Sequence, residues 1–74
     1  MQYAKRLATE IGKRVSTRRQ RLGLTQEELA KKLKITGAQI SYIERGERGP
    51  SLVTLHKLAK VLGTTVGRLV PDEI

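Results

Sequence analysis

Wound as a helix, residues 36–45 (Thr-Gly-Ala-Gln-Ile-Ser-Tyr-Ile-Glu-Arg) put their chemically useful side chains on one flank. At 3.6 residues per turn, Ala38, Ser41, Tyr42 and Arg45 fall on one side, and Ile40, Ile43 and Glu44 on the other. The first flank offers a methyl, a hydroxyl, a phenol and a guanidinium, which can meet base edges and phosphates. The isoleucines of the second flank can only be buried. A face that is small and polar, with one aromatic and one cation, suits a DNA groove better than a protein core.

Catalytic chemistry finds no comparable grouping. The single histidine, His56, sits beside Leu55 and reads as a surface or boundary residue. Glu27 and Glu28 are adjacent, hence on different helix faces, and read as a helix start rather than a carboxylate pair. With no cysteine there is no disulfide framework and no cysteine-based metal site. No strand pattern is present to carry a glycine-rich phosphate loop. The expectation is a non-enzyme with no cofactor and no bound metal.

The elements that position the polar flank follow from caps and periodicity. Thr25 followed three residues later by Glu28, and Thr36 followed by Gln39, are two capping boxes. They open short amphipathic helices over about 26–33 and 37–45, joined by a tight turn at Lys34-Ile35. Leu29, Ala30 and Leu33 of the first face the isoleucines of the second, an arrangement that reads as a helix-turn-helix. Upstream, Ala4, Leu7, Ala8, Ile11, Val15 and Leu22 recur at helical spacing and predict a long helix over 3–22. Gly12 inside it costs about 1 kcal/mol against alanine, and Gly23 ends it as a left-handed cap. Downstream, Gly46 stops the second short helix and Ser51 caps a fourth over 52–62, whose apolar face is Leu52, Leu55, Leu58, Ala59 and Leu62. A fifth helix over 65–70 carries Val66, Leu69 and Val70 before Pro71 closes it. The expected fold is all-α, a single five-helix domain spanning 1–74.

Charge supplies the next constraint. The chain of 74 residues carries a net +8, with an isoelectric point near 10.5. Residues 1–21 alone contribute +6, residues 22–44 balance, and residues 45–74 add +2. This excess implies sequence-independent attraction to phosphates that weakens with salt. No apolar run reaches the ~20 residues needed to cross a bilayer. The N-terminus carries charge every few residues, unlike a secretory signal, so a soluble cytoplasmic, nucleoid-associated protein is expected.

Three segments together resemble the Cro/CI, or Xre-type, helix-turn-helix family with its lambda-repressor-like fold. Leu22-Gly23-Leu24-Thr25-Gln26-Glu27-Glu28-Leu29-Ala30 is similar to the family's entry into the motif. Ile40-Ser41-Tyr42-Ile43-Glu44-Arg45-Gly46 is similar to its recognition helix and stop, and Pro50–Leu55 through Leu62-Gly63 to its fourth helix. The likeness covers residues 11–70. It implies base-reading roles for positions 37, 38 and 42, here Gly37, Ala38 and Tyr42. Gly37 departs from the pattern by having no side chain, which leaves close backbone approach to DNA as its use. Ala38 can pack on a thymine methyl and Tyr42 can donate its hydroxyl; Gln39 either binds an adenine edge or is consumed in capping Thr36. Ser41 is a further base contact at the rim. The resemblance implies phosphate contacts at Gln26, Arg48, Gly49 and Ser51, and Thr36 and Arg45 are expected to join them.

The family also implies an ion pair between Arg19 and Glu44 tying the first helix to the third, with Arg18 as a competitor. The turn residue of this motif commonly adopts a positive φ and is glycine; here it is Lys34, which would store about 1 kcal/mol. One recognition helix reads only a few base pairs. The implied solution is a homodimer on a palindromic site, meeting through Val66, Leu69, Val70 and Ile74, with Val61 nearby; the alternative is that those side chains close the core. The functional expectation is sequence-specific double-stranded DNA binding as a transcriptional regulator. The alternative is an antitoxin with a toxin partner, or a bridging coactivator, acting mainly through protein contacts.

Overall fold

The structure, a computed structural model, describes residues 2–72. Its helices are α1 (Gln2–Arg21), α2 (Gln26–Leu33), α3 (Gly37–Glu44), α4 (Leu52–Val61) and α5 (Val66–Leu69). The first four end by one repeated closure. In α1, the Gly23 amide donates to the Gln20 carbonyl at 3.0 Å and that of Leu24 to Arg19 at 3.1 Å. The same two bonds recur after α2 (Lys34 to Lys31, Ile35 to Ala30), after α3 (Gly46 to Ile43, Glu47 to Tyr42) and after α4 (Gly63 to Lys60, Thr64 to Ala59). This is the Schellman closure, which needs one residue in the left-handed region. Glycine fills that place three times; Lys34, at φ +60°, fills it once.

Helix starts are equally regular. Thr25, Thr36, Ser51 and Thr65 each accept a hydrogen bond from the amide three residues on. Glu28 completes the first capping box by accepting from the Thr25 amide at 2.8 Å. That bond and the one to the Thr25 side chain hold the Glu28 carboxyl below the usual carboxylate range. Because its folded pKa is depressed, the contribution is present above the unfolded-state pKa and is lost as pH falls through the folded one.

Between these fixed ends lies a core built wholly of aliphatic side chains. It comprises Ile11 and Val15 of α1, Leu29, Ala30 and Leu33 of α2, Ile40 and Ile43 of α3, Leu55, Leu58 and Ala59 of α4, with Leu62 and Leu69. Tertiary bonds from α1 tie in the far end of the chain. Arg18 donates to the Leu62 and Gly63 carbonyls at 2.9 and 2.8 Å, and Arg14 to the Arg68 carbonyl at 3.1 Å. Arg18 therefore serves the end of α4 and leaves Glu44 to Arg19.

Gly12 has a role that helix propensity does not reveal. It sits where α1 crosses the end of α3. A Cβ there would collide with the Ile43 carbonyl oxygen and stand 2.7 Å from that of Glu44. Gly46 does the reciprocal job at left-handed φ +73°, where a Cβ would lie 2.7 Å from the Thr9 Cα. The two glycines let α1 and the end of α3 meet backbone to backbone.

Four expectations are corrected. Leu22 lies past the end of α1 in the closing turn and is 50% exposed, and Ala4 is exposed in the first turns. Leu52, the first residue of α4, is 79% exposed; at 100° per residue it stands roughly 70° off the centre of the α4 stripe. Leu69 is 2% exposed and completes the core, so it is withdrawn from any dimer surface. Val61, Val66 and Val70 are half-buried against that core, and Ile74 lies outside the described residues. Several helix bounds also shift by a residue where the last expected position belongs to a cap.

Two substitutions test this frame. Gly12→Ala gains helix propensity, yet overpacking against backbone that cannot yield should cost about 1–3 kcal/mol. A lower urea midpoint is expected; an unchanged or raised one would refute the close crossing. Lys34→Gly removes left-handed strain at the price of unfolded-state entropy, so stability should be unchanged or raised by up to about 1 kcal/mol. A clear loss in the same titration would show that lysine contributes more than the backbone conformation costs.

Candidate nucleic-acid interface

The orientation of α3 is set from its inner side. Ile40 is fully buried and Ile43 nearly so. The Glu44 carboxylate receives Arg19 through both oxygens, from Nε at 2.6 Å and from Nη2 at 3.0 Å. Both side chains are largely buried, at 12% and 6% exposure. Arg19 Nη1 donates to the Leu24 carbonyl at 2.7 Å, and Gln26 Nε2 donates to Glu44 at 3.1 Å. The hydrogen bond to Glu44 raises the Arg19 pKa, burial lowers it, and the carboxylate charge raises it again. The guanidinium remains charged under any ordinary condition.

With that side fixed, the other flank of α3 is left outside. Ala38 and Gln39 are exposed, Ser41 and Tyr42 half-buried, and Arg45 exposed. Tyr42 is flanked by two cations: the guanidinium carbons of Arg45 and Arg48 each stand 5.2 Å from its ring centroid. The Arg45–Glu47 pair at 3.1 Å is open to solvent, at 55% and 51% exposure, and adds little stability. Gln39, Tyr42, Arg48, Gly49 and Ser51 line one cleft between α3 and the start of α4, with Ile35, Pro50 and Thr54 among its walls.

Several expected contact residues already have intramolecular work. The Gln39 side-chain oxygen accepts from the Thr36 amide at 2.9 Å, and Thr36 Oγ1 accepts from the Gln39 amide at 3.1 Å. This is the capping alternative, and it removes the oxygen that bidentate adenine recognition would use. Ser51 Oγ caps α4 through the Thr54 amide at 3.1 Å. The Gln26 amide nitrogen is directed at Glu44. Gly37 is not bare: the Glu27 carboxylate lies over it, with its carboxyl carbon 2.6 Å from where a Cβ would be.

Three features of this site were not read from the chain. The Glu27 carboxylate over Gly37 and the Gln26–Glu44 bond join residues ten and eighteen positions apart, distances over which no periodicity speaks. The Arg45 stack on Tyr42 follows i,i+3 helical spacing and was legible in principle; Arg48 reaches the same ring from a loop. Among the described residues, no group of three His, Cys, Asp or Glu could hold a metal ion, and no helix is long and apolar enough to cross a membrane.

This arrangement is shared with known proteins. The helix-turn-helix family model matches residues 15–69. An HTH-type transcriptional regulator of Methanothermobacter thermautotrophicus is 47% identical over 45 residues, covering 61% of this chain and 65% of the relative. The immunity repressor of Bacillus phage phi105 is 36% identical over 63 residues, covering 85% of this chain and 44% of that protein. Among solved structures, the restriction-modification controller protein C.AhdI from Aeromonas hydrophila superposes with a TM-score of 0.82 at 32% identity, covering 88% of this chain and 94% of the controller. Hydroxypropylphosphonic acid epoxidase from S. wedmorenis gives a TM-score of 0.81 at 32% identity, but the likeness spans only 35% of that chain. The chain thus belongs to the helix-turn-helix family of DNA-binding transcriptional regulators, of the Xre or Cro/CI type. It spans 65% of the archaeal relative's length and 44% of the phage repressor's.

The buried pair gives a direct test. Arg19→Ala strands the Glu44 carboxylate and should cost about 3 kcal/mol, a fall in Tm of about 12–24 °C for a domain of this size. Arg21→Ala, at an exposed position in the same turn, should melt close to the parent. Equal melting temperatures for the two variants would contradict a structural role for the pair.

Proposed function

We propose that this domain binds double-stranded DNA sequence-specifically as a transcriptional regulator, with α3 in the major groove. The observation that carries the reading is the exposed flank of α3. Ala38 and Gln39 are exposed, and Ser41 and Tyr42 partly so, on a helix whose opposite side is held by Ile40, Ile43 and the Glu44 network. Ala38 is the candidate for a thymine methyl, and Ser41 and Tyr42 for polar base contacts. Arg45 and Arg48, held against the Tyr42 ring, flank the helix as phosphate contacts. Thr36, Gly49, and the first-turn amides of α2 and α4 at Gln26 and Ser51 complete the clamp. Gly37, with Glu27 over it, brings backbone and no side chain to the groove.

A homodimer on a palindromic operator supplies the selectivity that one helix lacks, placing two α3 helices ~34 Å apart. The surface proposed for it is the half-buried pair Val66 and Val70. The domain acts as a binding module without catalysis, on DNA in the cytoplasm. A second reading, an antitoxin or bridging coactivator meeting another protein, draws on one observation: Leu52 and Val53 at the start of α4 are 79% and 65% exposed.

Selection of bound duplexes from a random library, with complex mass measured alongside, tests the reading. The expected outcome is a palindrome with half-sites one helical turn apart and a mass of two chains per duplex. Uniform weak binding to all duplexes would overturn it in favour of the protein-contact reading. Within the selected site, Arg48→Ala should weaken binding evenly across sequences and flatten the salt dependence by about one. Tyr42→Ala should cost ~1–3 kcal/mol of discrimination at the base pair it faces.

A further inference from the structure

The positive charge of this domain is not gathered where α3 would meet DNA. α3 contains no lysine or arginine, whereas residues 1–21 hold seven against Glu10 alone. On α1, Arg6 and Lys13 lie along one outer ridge, and Tyr3, Arg14, Thr17 and Arg21 along the next. Two grooves follow these ridges. One is lined by Lys5, Arg6, Lys13 and Arg14, with Pro71 at its side. The other is lined by Lys13, Arg14, Arg18 and Arg21 together with Arg68 of α5. No residue of α2, α3 or the 45–51 loop lines either groove, and Glu10 is the one acid in both.

Geometry separates this face from α3. Gly12 marks the seam between α1 and α3, and Arg21, nine residues on, is roughly half a turn round the helix axis from it. About one helix thickness, ~10–12 Å, therefore separates Arg14 and Arg21 from that seam, whereas Lys5 borders the 45–49 loop. The Debye length at physiological salt is ~8 Å, so Arg14 and Arg21 are largely screened from a duplex seated on α3. Arg14 is partly engaged by Glu10 and the Arg68 carbonyl, and Arg18 by the Leu62 and Gly63 carbonyls, which leaves Arg6, Lys13 and Arg21 as the exposed cations of this face.

The make-up of the grooves favours a nucleic-acid backbone over a protein. Long cationic side chains alternate with Thr17 and Thr64, the residue types that contact phosphates. The large apolar side chain exposed on these ridges is Tyr3, which is less than the aromatic or apolar centre that protein interfaces carry. From Arg6 to Arg21 the row runs ~22 Å at 1.5 Å per residue. A duplex carries one charge per ~1.7 Å of its axis and can match such a row throughout.

We propose that the outer face of α1, extended by Arg68 of α5, is a second contact surface that holds the phosphate backbone of double-stranded DNA without regard to sequence. One molecule can then hold a duplex there while α3 engages another. The surface does not depend on how, or whether, α3 reads bases.

The test uses Arg6→Gln/Lys13→Gln/Arg21→Gln, three exposed positions outside the α3 site, on the full chain. Affinity for a sequence-random duplex of about 30 bp is measured between about 50 and 200 mM KCl. The triple variant should bind 10- to 100-fold more weakly at the lower salt, with a log–log slope flatter by about 2–3, each lost phosphate contact accounting for ~0.9. Two such duplexes, one carrying a donor dye and one an acceptor, should be brought together by the parent and not by the triple variant. Lys57→Gln, at an exposed position of α4 that lines neither groove, should leave random-duplex binding and bridging at the parent level. Lys13→Gln alone, with a slope change of about one, provides the same reading should the triple variant melt early. An unchanged slope and undiminished bridging in a folded triple variant would overturn the proposal. So would polyglutamate competing as well as duplex DNA charge for charge, or duplex RNA binding more tightly than duplex DNA.

Discussion

The Glu44 carboxylate is the point on which the geometry of this domain turns. It is almost wholly buried and receives three donors: Arg19 Nε, Arg19 Nη2 and Gln26 Nε2. Arg19 also reaches the Leu24 carbonyl, so one network joins α1, the turn after it, the start of α2 and the end of α3. A charge placed there without partners would be expensive, and a fully met one fixes direction as well as position. Hydrophobic contact through Ile40 and Ile43 could tolerate α3 sliding or rolling slightly. The fork of a guanidinium on a carboxylate cannot. Gly12 completes the arrangement by letting the α1 backbone come down onto the last carbonyls of α3.

From this follows a division of labour between shape and charge. α3 is locked in place and almost neutral, and its outer flank is made of small and polar side chains. Its cations are borrowed from beyond its last turn, where Arg45 and Arg48 are held against one tyrosine ring. Stacking on a ring restricts two flexible side chains before any ligand arrives, which lessens the entropy lost on binding. The bulk of the net charge lies on α1, with Arg6, Lys13, Arg14 and Arg21 along its outer ridges.

What the chain made legible was whatever is decided locally. Thr25 with Glu28 and Thr36 with Gln39 announce their helices because a capping box is complete within four residues. Gly23, Gly46 and Gly63 announce the stops because each closure spans six. The positive φ of Lys34 and the Arg19–Glu44 pair were legible only through family resemblance, since neither spacing nor composition singles them out. Illegible features are those decided across the fold. Gly12 looks like a flaw in a helix until the α3 carbonyls are seen beside it. Leu52 on α4 and Leu69 on α5 were each placed by apolar spacing, yet one overhangs into solvent and the other seals the core. Periodicity gives a direction round the helix axis; it does not say whether a neighbour waits there.

The aliphatic core has a further consequence for how this molecule can be watched. With no tryptophan and no phenylalanine, near-ultraviolet absorption and intrinsic emission belong to Tyr3 and Tyr42 alone. One stands on the outer ridge of α1 and the other between two guanidiniums beside α3. The interior is optically silent, and the outer ridge of α1 and the outer flank of α3 each carry one chromophore.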